Sequence, residues 1–447
     1  MITKELLKNF EERFKNDKAS TVVANAIAKS GIEDSSFNND VLRFHNFKFS
    51  DSVKKSVKKA EITNQKKSGR CWMFASYNVL RLQVMKKLNL SSFEFSETYL
   101  FFMDKMEKSN SFLELIIQHI DEPIDSRLMD YFIHNTADDG NWWEGFDSLI
   151  CKYGTVPKYV MPETFSSSNS SSFVEQINLR LRRTAMKMRK AHSEGKGIDE
   201  LNRLKEETLY EVYNICTKTL GKLPETFDFE YVDKDEKFHR VENLTPMSFY
   251  KEYVGDYFAT KVNLIEDPRG KYPFGRKLEL KYLRIVHEGR EVSSLNVPQE
   301  EIKSAIIKSI KAGEAVWFAC DVAKNSDRKL GIMDKDIYGY DETLTELGEF
   351  SKADRIDYRC SELTHAMTFV GVDLDEKGNP IKWQVENSWG DEFGEKGIFS
   401  MSDSWFTDEN ITAIVDKKFV DEKWLKGLEE EAIMIEPWEP YASLMKR

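Results

Sequence analysis

Cysteine is scarce in this chain. There are five in 447 residues (Cys71, Cys151, Cys216, Cys320 and Cys360), odd in number and scattered, with no C-x-x-C pair. That argues against a disulfide framework and against a thiolate zinc site. Glycine and proline are sparse too, at 22 and 11, so no long flexible linker divides the chain, and there is no internal repeat. No apolar run approaches the ~20 residues that span a bilayer. The segment from Met1 to Phe10 carries charges throughout and lacks a secretory apolar core and cleavage site, which points to the cytoplasm and away from membranes. Positive charge is in deficit: 65 Lys and Arg against 76 Asp and Glu, a net charge of -11. That sign opposes non-specific nucleic-acid binding.

What is there is the composition of a large globular protein, 40% hydrophobic and 32% charged, with room for more than one domain. Residues 1–20 read as helix and 21–60 as mixed, ending in a solvated basic run from Lys54 to Lys59. A helix follows from Cys71 to about Leu88. Another opens at Ser96, whose hydroxyl suits an N-cap. The turn cluster Asp138-Asp139-Gly140-Asn141-Trp142-Trp143 leads into a helix that Gly154 caps. The tract Ser166 to Ser172 reads as an exposed loop. Val174 to Leu220 reads as a helical hairpin broken at 192–197, with an apolar stripe (Leu201, Leu204, Leu209, Val212, Ile215) suited to packing or oligomer contact. Thr245-Pro246 opens a further helix. Beyond about residue 275 strand-like runs dominate: 278–286, 315–322, 365–372, 382–386, 397–400 and 413–416. The fold class is therefore α+β, a helical first part followed by a strand-rich second part.

The chemistry gathers at Gln65-Lys-Lys-Ser-Gly-Arg-Cys71-Trp-Met-Phe-Ala-Ser-Tyr77. A cysteine in the first turn of a helix sits at the positive end of the macrodipole, which favours thiolate. Gln65, six positions earlier, carries an amide able to donate to a developing oxyanion. A lone cysteine is equally a small buried hydrophobe, so the reading needs a base elsewhere. Six of the seven histidines sit in contexts with no catalytic signature. His365 differs, standing at the head of an alternating strand, Thr-His-Ala-Met-Thr-Phe-Val-Gly-Val. A short turn at 375–380 returns the chain through a second strand that ends at Asn387. An antiparallel pairing then places Asn387 beside His365, where its oxygen can fix the imidazole tautomer, with Trp389 as a cover against water. Thiolate, base and orienter are the parts of a Cys–His–Asn nucleophilic site.

These stretches resemble the papain-type cysteine peptidases, and most closely the bleomycin hydrolase and aminopeptidase C group. The segments that carry the likeness are 63–75, Phe95-Ser96-Glu97, Lys152 to Lys158, Gly313 to Phe318, Thr364 to Asp373 and Val385 to Trp389, so the likeness covers nearly the whole chain. It implies a two-lobe papain-like fold with helical insertions. The segments would be an N-terminal extension (1–60), a helical lobe (61–165), a helical insertion (166–270), a strand-rich lobe (271–435) and a C-terminal arm (436–447) in the cleft. It implies Cys71 as nucleophile, His365 as base and then acid, Asn387 as orienter, and Gln65 with the Cys71 N–H as oxyanion hole. It implies no cofactor and no metal, peptide substrates, and a homohexamer.

The resemblance also marks departures. Gly140 matches a glycine whose backbone pairs with substrate, but a glycine pair is usual there and this chain has Asp139-Gly140. Asp139 is then either a subsite charge that favours a cationic group or an exposed loop acid. In the family the C-terminal carboxylate holds the substrate α-amine, which makes an aminopeptidase. This chain continues past Met445 to Lys446 and Arg447, a basic tip that repels an ammonium. The tip is trimmed, or stays and occludes, or the arm is displaced and the enzyme becomes an endopeptidase. Aminopeptidase action fits the rest of the chain best. An amide hydrolase or acyltransferase on the same residues, and a non-catalytic binding scaffold, are the rival readings from other classes.

Overall fold

A computed structural model of the chain describes residues 1–53, 61–409 and 411–446, with the backbone alone for Lys446. The basic run Lys54 to Lys59 and Arg447 lie outside these residues.

The helix Cys71–Lys87 runs through the middle of the molecule. Every side chain from Cys71 to Leu80 is buried, whichever face it lies on, so this part of the helix is covered all round, as a helix without an apolar stripe must be. It packs on one side against the helices Glu97–Gln118 and Trp143–Tyr153, and on the other against the sheet. Ser96 caps the first of these through Oγ, accepting from the Tyr99 N–H at 3.1 Å. Gly154 ends the second at φ +74°.

The strands are β1 (Asp51–Ser52), β2 (Phe227–Val232), β3 (Phe238–Leu244), β4 (Lys261–Ile265), β5 (Lys277–Leu280), β6 (Ser293–Asn296) and β7 (Val316–Cys320). They continue with β8 (Ser326–Asp327), β9 (Ile332–Met333), β10 (His365–Leu374), β11 (Pro380–Glu386), β12 (Ile398–Ser402), β13 (Ile411–Asp416) and β14 (Ile433–Ile435). Among the described residues one sheet has the order β14-β5-β6-β4-β13-β7-β10-β11-β12-β9-β8, with β1 paired to β10. The central strands β7, β10 and β13 are buried almost throughout, as strands covered on both faces are. β2 and β3 form a separate hairpin.

Several sequence expectations change here. The N-terminal extension reaches the sheet, where Asp51 and Ser52 pair with Val372 and Gly371. Apart from β1, the sheet's strands start with β4 (Lys261–Ile265), before residue 270. The run 278–286 is strand only to Leu280, and residues 281–285 turn away. The serine tract is not an exposed loop. Phe165–Ser168 is a helical turn with a Thr164/Ser167 capping box, and Ser167 and Ser170 are buried. Hydroxyls can be buried when each finds a partner, and these reach Glu163 and Asp139. The helical hairpin takes the form Ser171–Ser193 and Ile198–Leu220, and its stripe packs inward on the Glu97–Gln118 helix.

Candidate active site

Cys71 is the first residue of its helix, preceded by the N-cap Arg70. Arg70 is wholly buried and spans outward from the loop. Its guanidinium forks onto Glu163 at 3.1 and 2.8 Å, donates to the Ser167 carbonyl at 2.7 Å, and donates through Nε to Ser68 Oγ at 3.0 Å. Burial would raise Glu163, but Arg70 and Lys158 overcome it and bring the carboxyl down to about 2. The planar fork suits a bidentate carboxylate, and it fixes the backbone just before the nucleophile.

His365 heads β10 and stands opposite Cys320 of β7. Its Nε2 lies 2.9 Å from Asn387 Oδ1. Asn387 follows β11, the antiparallel neighbour of β10, and its Oδ1 also accepts from the Ser388 N–H at 2.8 Å. With Oδ1 accepting, His365 Nε2 carries the hydrogen and Nδ1 is the basic nitrogen. The Trp389 ring lies 4.7 Å from the imidazole at 32° and covers it. The guanidinium of Arg328 sits 4.2 Å over the same indole.

Two contacts lock the sheet to the nucleophile helix. Thr368 Oγ1 of β10 donates to the Ala75 carbonyl at 3.2 Å, and Trp317 Nε1 of β7 donates to the Trp72 carbonyl at 3.1 Å. A third tie joins the loops: Asn64 bridges to Trp389, and the Gln65 N–H donates to the Ser388 carbonyl at 2.8 Å. Gly390 follows at φ +87°, and a Cβ there would collide with the Asn64 amide, so glycine is required on both counts.

Gln65 is buried, and its amide is aligned from both ends. Oε1 accepts from Ser388 Oγ at 2.7 Å, while Nε2 donates to the Ser68 carbonyl at 2.7 Å. That leaves one Nε2 hydrogen for an incoming oxygen. The sequence offered no sign of the Ser388 contact beyond its place between Asn387 and Trp389.

Asp139 is not an exposed loop acid. It is buried, with Oδ2 accepting from the Gly69 N–H at 2.9 Å and from Ser170 Oγ, and Oδ1 paired to Lys105 Nζ at 3.1 Å. Its charge is paired to the Lys105 ammonium. Gly140 is buried beside it, and its carbonyl accepts from Lys108 Nζ at 2.7 Å.

The C-terminal arm folds into the molecule. Tyr441, Ala442, Ser443 and Leu444 are buried. Tyr441 donates to the Glu266 carbonyl at 3.1 Å, and Ser443 Oγ donates to the Leu363 carbonyl at 2.8 Å, two residues before His365. Glu439 holds Arg269 at 3.2 Å and Lys271 at 2.6 Å.

The Peptidase C1-like family model matches residues 1–442. Aminopeptidase C of Listeria monocytogenes is 38% identical over 443 residues, covering 99% of each chain. Bleomycin hydrolase of Rattus norvegicus is 38% identical over 390 residues, 86% of each. The crystal structure of PepW from Lactobacillus rhamnosis HN001 superposes with a TM-score of 0.95 at 38% identity, covering 99% of this chain and 98% of that one.

Proposed function

The chain belongs to the Peptidase C1-like family of papain-like cysteine peptidases, and from that premise we propose that it is an aminopeptidase acting through Cys71. The observation that carries the chemistry is the His365–Asn387 hydrogen bond beneath Trp389, opposite a helix that begins at Cys71. The thiolate of Cys71 attacks the peptide carbonyl carbon and a C–S bond forms. The oxygen takes the pair of the broken π bond and accepts from Gln65 Nε2 and the Cys71 N–H. The C–N bond then breaks as His365 passes its Nδ1 proton to the leaving amine. Water, giving its proton back to His365, hydrolyses the thioester and frees the acid and the thiol.

Exopeptidase action is supported by the arm. Its buried residues and the Ser443 contact two positions from His365 are consistent with an arm that blocks one side of the site, and a relative named aminopeptidase C matches along 99% of the chain. Endopeptidase action requires the arm to leave. That exposes Tyr441, Ala442 and Leu444, and unburying a side chain of Leu or Tyr size costs about 1.5–3 kcal/mol. The test compares aminoacyl and N-acetylaminoacyl fluorogenic amides on enzyme of known intact mass. Cleavage of the free-amine substrate alone is expected, and equal or faster cleavage of the acetylated one defeats the reading. We also propose assembly into a homohexamer, for which the exposed Leu179, Met186, Tyr210 and Tyr213 of the helical hairpin supply apolar surface. Sedimentation as a monomer would count against it.

A further inference from the structure

Two lysines of the Glu97–Gln118 helix, Lys105 and Lys108, are buried under the active-site loops. A buried ammonium is costly unless it is paired and fully hydrogen-bonded, and both are. Lys105 Nζ donates to the carbonyls of Ala137 at 2.7 Å and Asp138 at 2.9 Å, and pairs with Asp139 at 3.1 Å and Asp104 at 3.5 Å. Lys108 Nζ donates to the carbonyls of Asp138 at 2.6 Å and Gly140 at 2.7 Å, and pairs with Asp104 at 3.1 Å. The remaining carbonyl of the loop, that of Asp139, accepts from Trp72 Nε1 at 2.8 Å. All four carbonyls from 137 to 140 are thus held.

Asp139 is the residue through which this loop grips the nucleophile. Its carboxylate takes the Gly69 N–H, two positions before Cys71, and its carbonyl takes the indole of Trp72, one position after. The nucleophile is bracketed from both sides by one residue. Burial would raise the Asp139 carboxyl, but Lys105, Ser170 and the Gly69 N–H hold it below the usual carboxylate range, so it is an ionised acceptor, the strong kind.

We propose that Asp139, held in place by Lys105, is a positioning residue for the reaction, setting the loop from Gly69 that presents Cys71. The proposal rests on Cys71 as the nucleophile. Asp139 touches no reacting atom and acts through the backbone of Gly69.

The test separates positioning from bulk stability. Buried ion pairs are often replaceable by apolar residues without loss of fold, and here Asp104 and Lys108 remain paired when Lys105 and Asp139 are both changed. Two double variants of the full chain are compared: Lys105→Met with Asp139→Leu, which removes the acceptor for Gly69, and Lys105→Met with Asp139→Asn, which keeps one. The readouts are turnover per Cys71 titrated with an epoxide inhibitor, and the rate at which iodoacetamide alkylates Cys71. Loss of a buried hydrogen bond at this point is worth roughly 10-fold or more. The leucine variant is expected to be at least about 10-fold slower than the asparagine variant in both readouts. Equal rates in the two folded variants overturn the proposal. The alkylation rate reads Cys71 directly. A wild-type enzyme with no turnover therefore counts against the peptidase reading, and the alkylation comparison still decides the role of Asp139. If the leucine variant does not fold, Asp139→Asn against Asp139→Ala in the Lys105→Met background gives the same contrast.

Discussion

Replacing Asn387 by alanine tests the site at its least exposed point. The side chain is 1% exposed. Its Oδ1 serves two donors, His365 Nε2 at 2.9 Å and the Ser388 N–H at 2.8 Å, beneath the ring of Trp389. Alanine leaves both donors buried without this acceptor, at about 1–3 kcal/mol each. The folding free energy is therefore expected to fall by ~2–6 kcal/mol. Only the histidine half of that loss reaches the reaction, because the Ser388 N–H is equally unpaired in ground and transition states. The barrier should rise by ~1–3 kcal/mol, a drop in kcat of about 5–150-fold. KM should hold, since Asn387 lies behind the imidazole and not along the peptide. The assay is steady-state hydrolysis of an aminoacyl fluorogenic amide, normalised to titrated Cys71, alongside a denaturant melt. A variant with kcat within threefold of wild type, or one in which KM alone changes, would refute the assignment of Asn387 as orienter.

Gln65→Ala should lower kcat by ~10²–10³-fold while the alkylation of Cys71 by iodoacetamide stays near wild type; a parallel fall in alkylation would mean that Gln65 shapes the thiolate and not the oxyanion. Tyr441→Ala removes a buried ring under the Arg269 guanidinium and should cost about 3–5 kcal/mol in a melt. It should also raise the ratio of acetylated to free-amine turnover, and an unchanged ratio would detach the arm from specificity. Glu144 is raised from 4.5 to about 7 by burial, against the opposing Asn263 hydrogen bond. The folded state thus keeps a proton that the unfolded state releases between about pH 4.5 and 7. Wild-type stability should fall as pH rises through that window and level off above it, by ~3 kcal/mol at most. Glu144→Gln should lack this fall, and parallel pH–stability curves for the two proteins would disprove it.

The candidate catalytic residues were legible because the proposed chemistry dictates residue type and local context together. Cys71 needs a helix start, His365 the head of a strand, and Asn387 the end of the next one, and a single hairpin brings the last two into register. The roles of Asp139, Lys105 and Ser170 were not legible. Serines in a polar tract read as an exposed loop, nothing in the sequence marks Lys105, and only the packing of three separate elements makes them mutual partners. The β2–β3 hairpin escaped notice although Phe227, Phe229 and Tyr231 alternate. Its turn, Asp233 to Lys237, is charged and lies in a stretch read as helical insertion. β1 is too short for any periodicity, and its pairing to β10 depends on a partner more than 300 positions away.

The join between the Cys71 helix and β10 has a consequence in time. Thr368 and Ala75, which close it, are 293 positions apart in the chain, and Ser388 and Gln65, which align the oxyanion donor, are 323 apart. At roughly 5–20 residues per second of synthesis, tens of seconds pass between the emergence of the thiol and that of its base. During that interval Cys71 is an ordinary cysteine at the start of a nascent helix, without base or orienter. On the proposed reading, the order of synthesis alone keeps Cys71 apart from His365 and Asn387 until the central strands have been made.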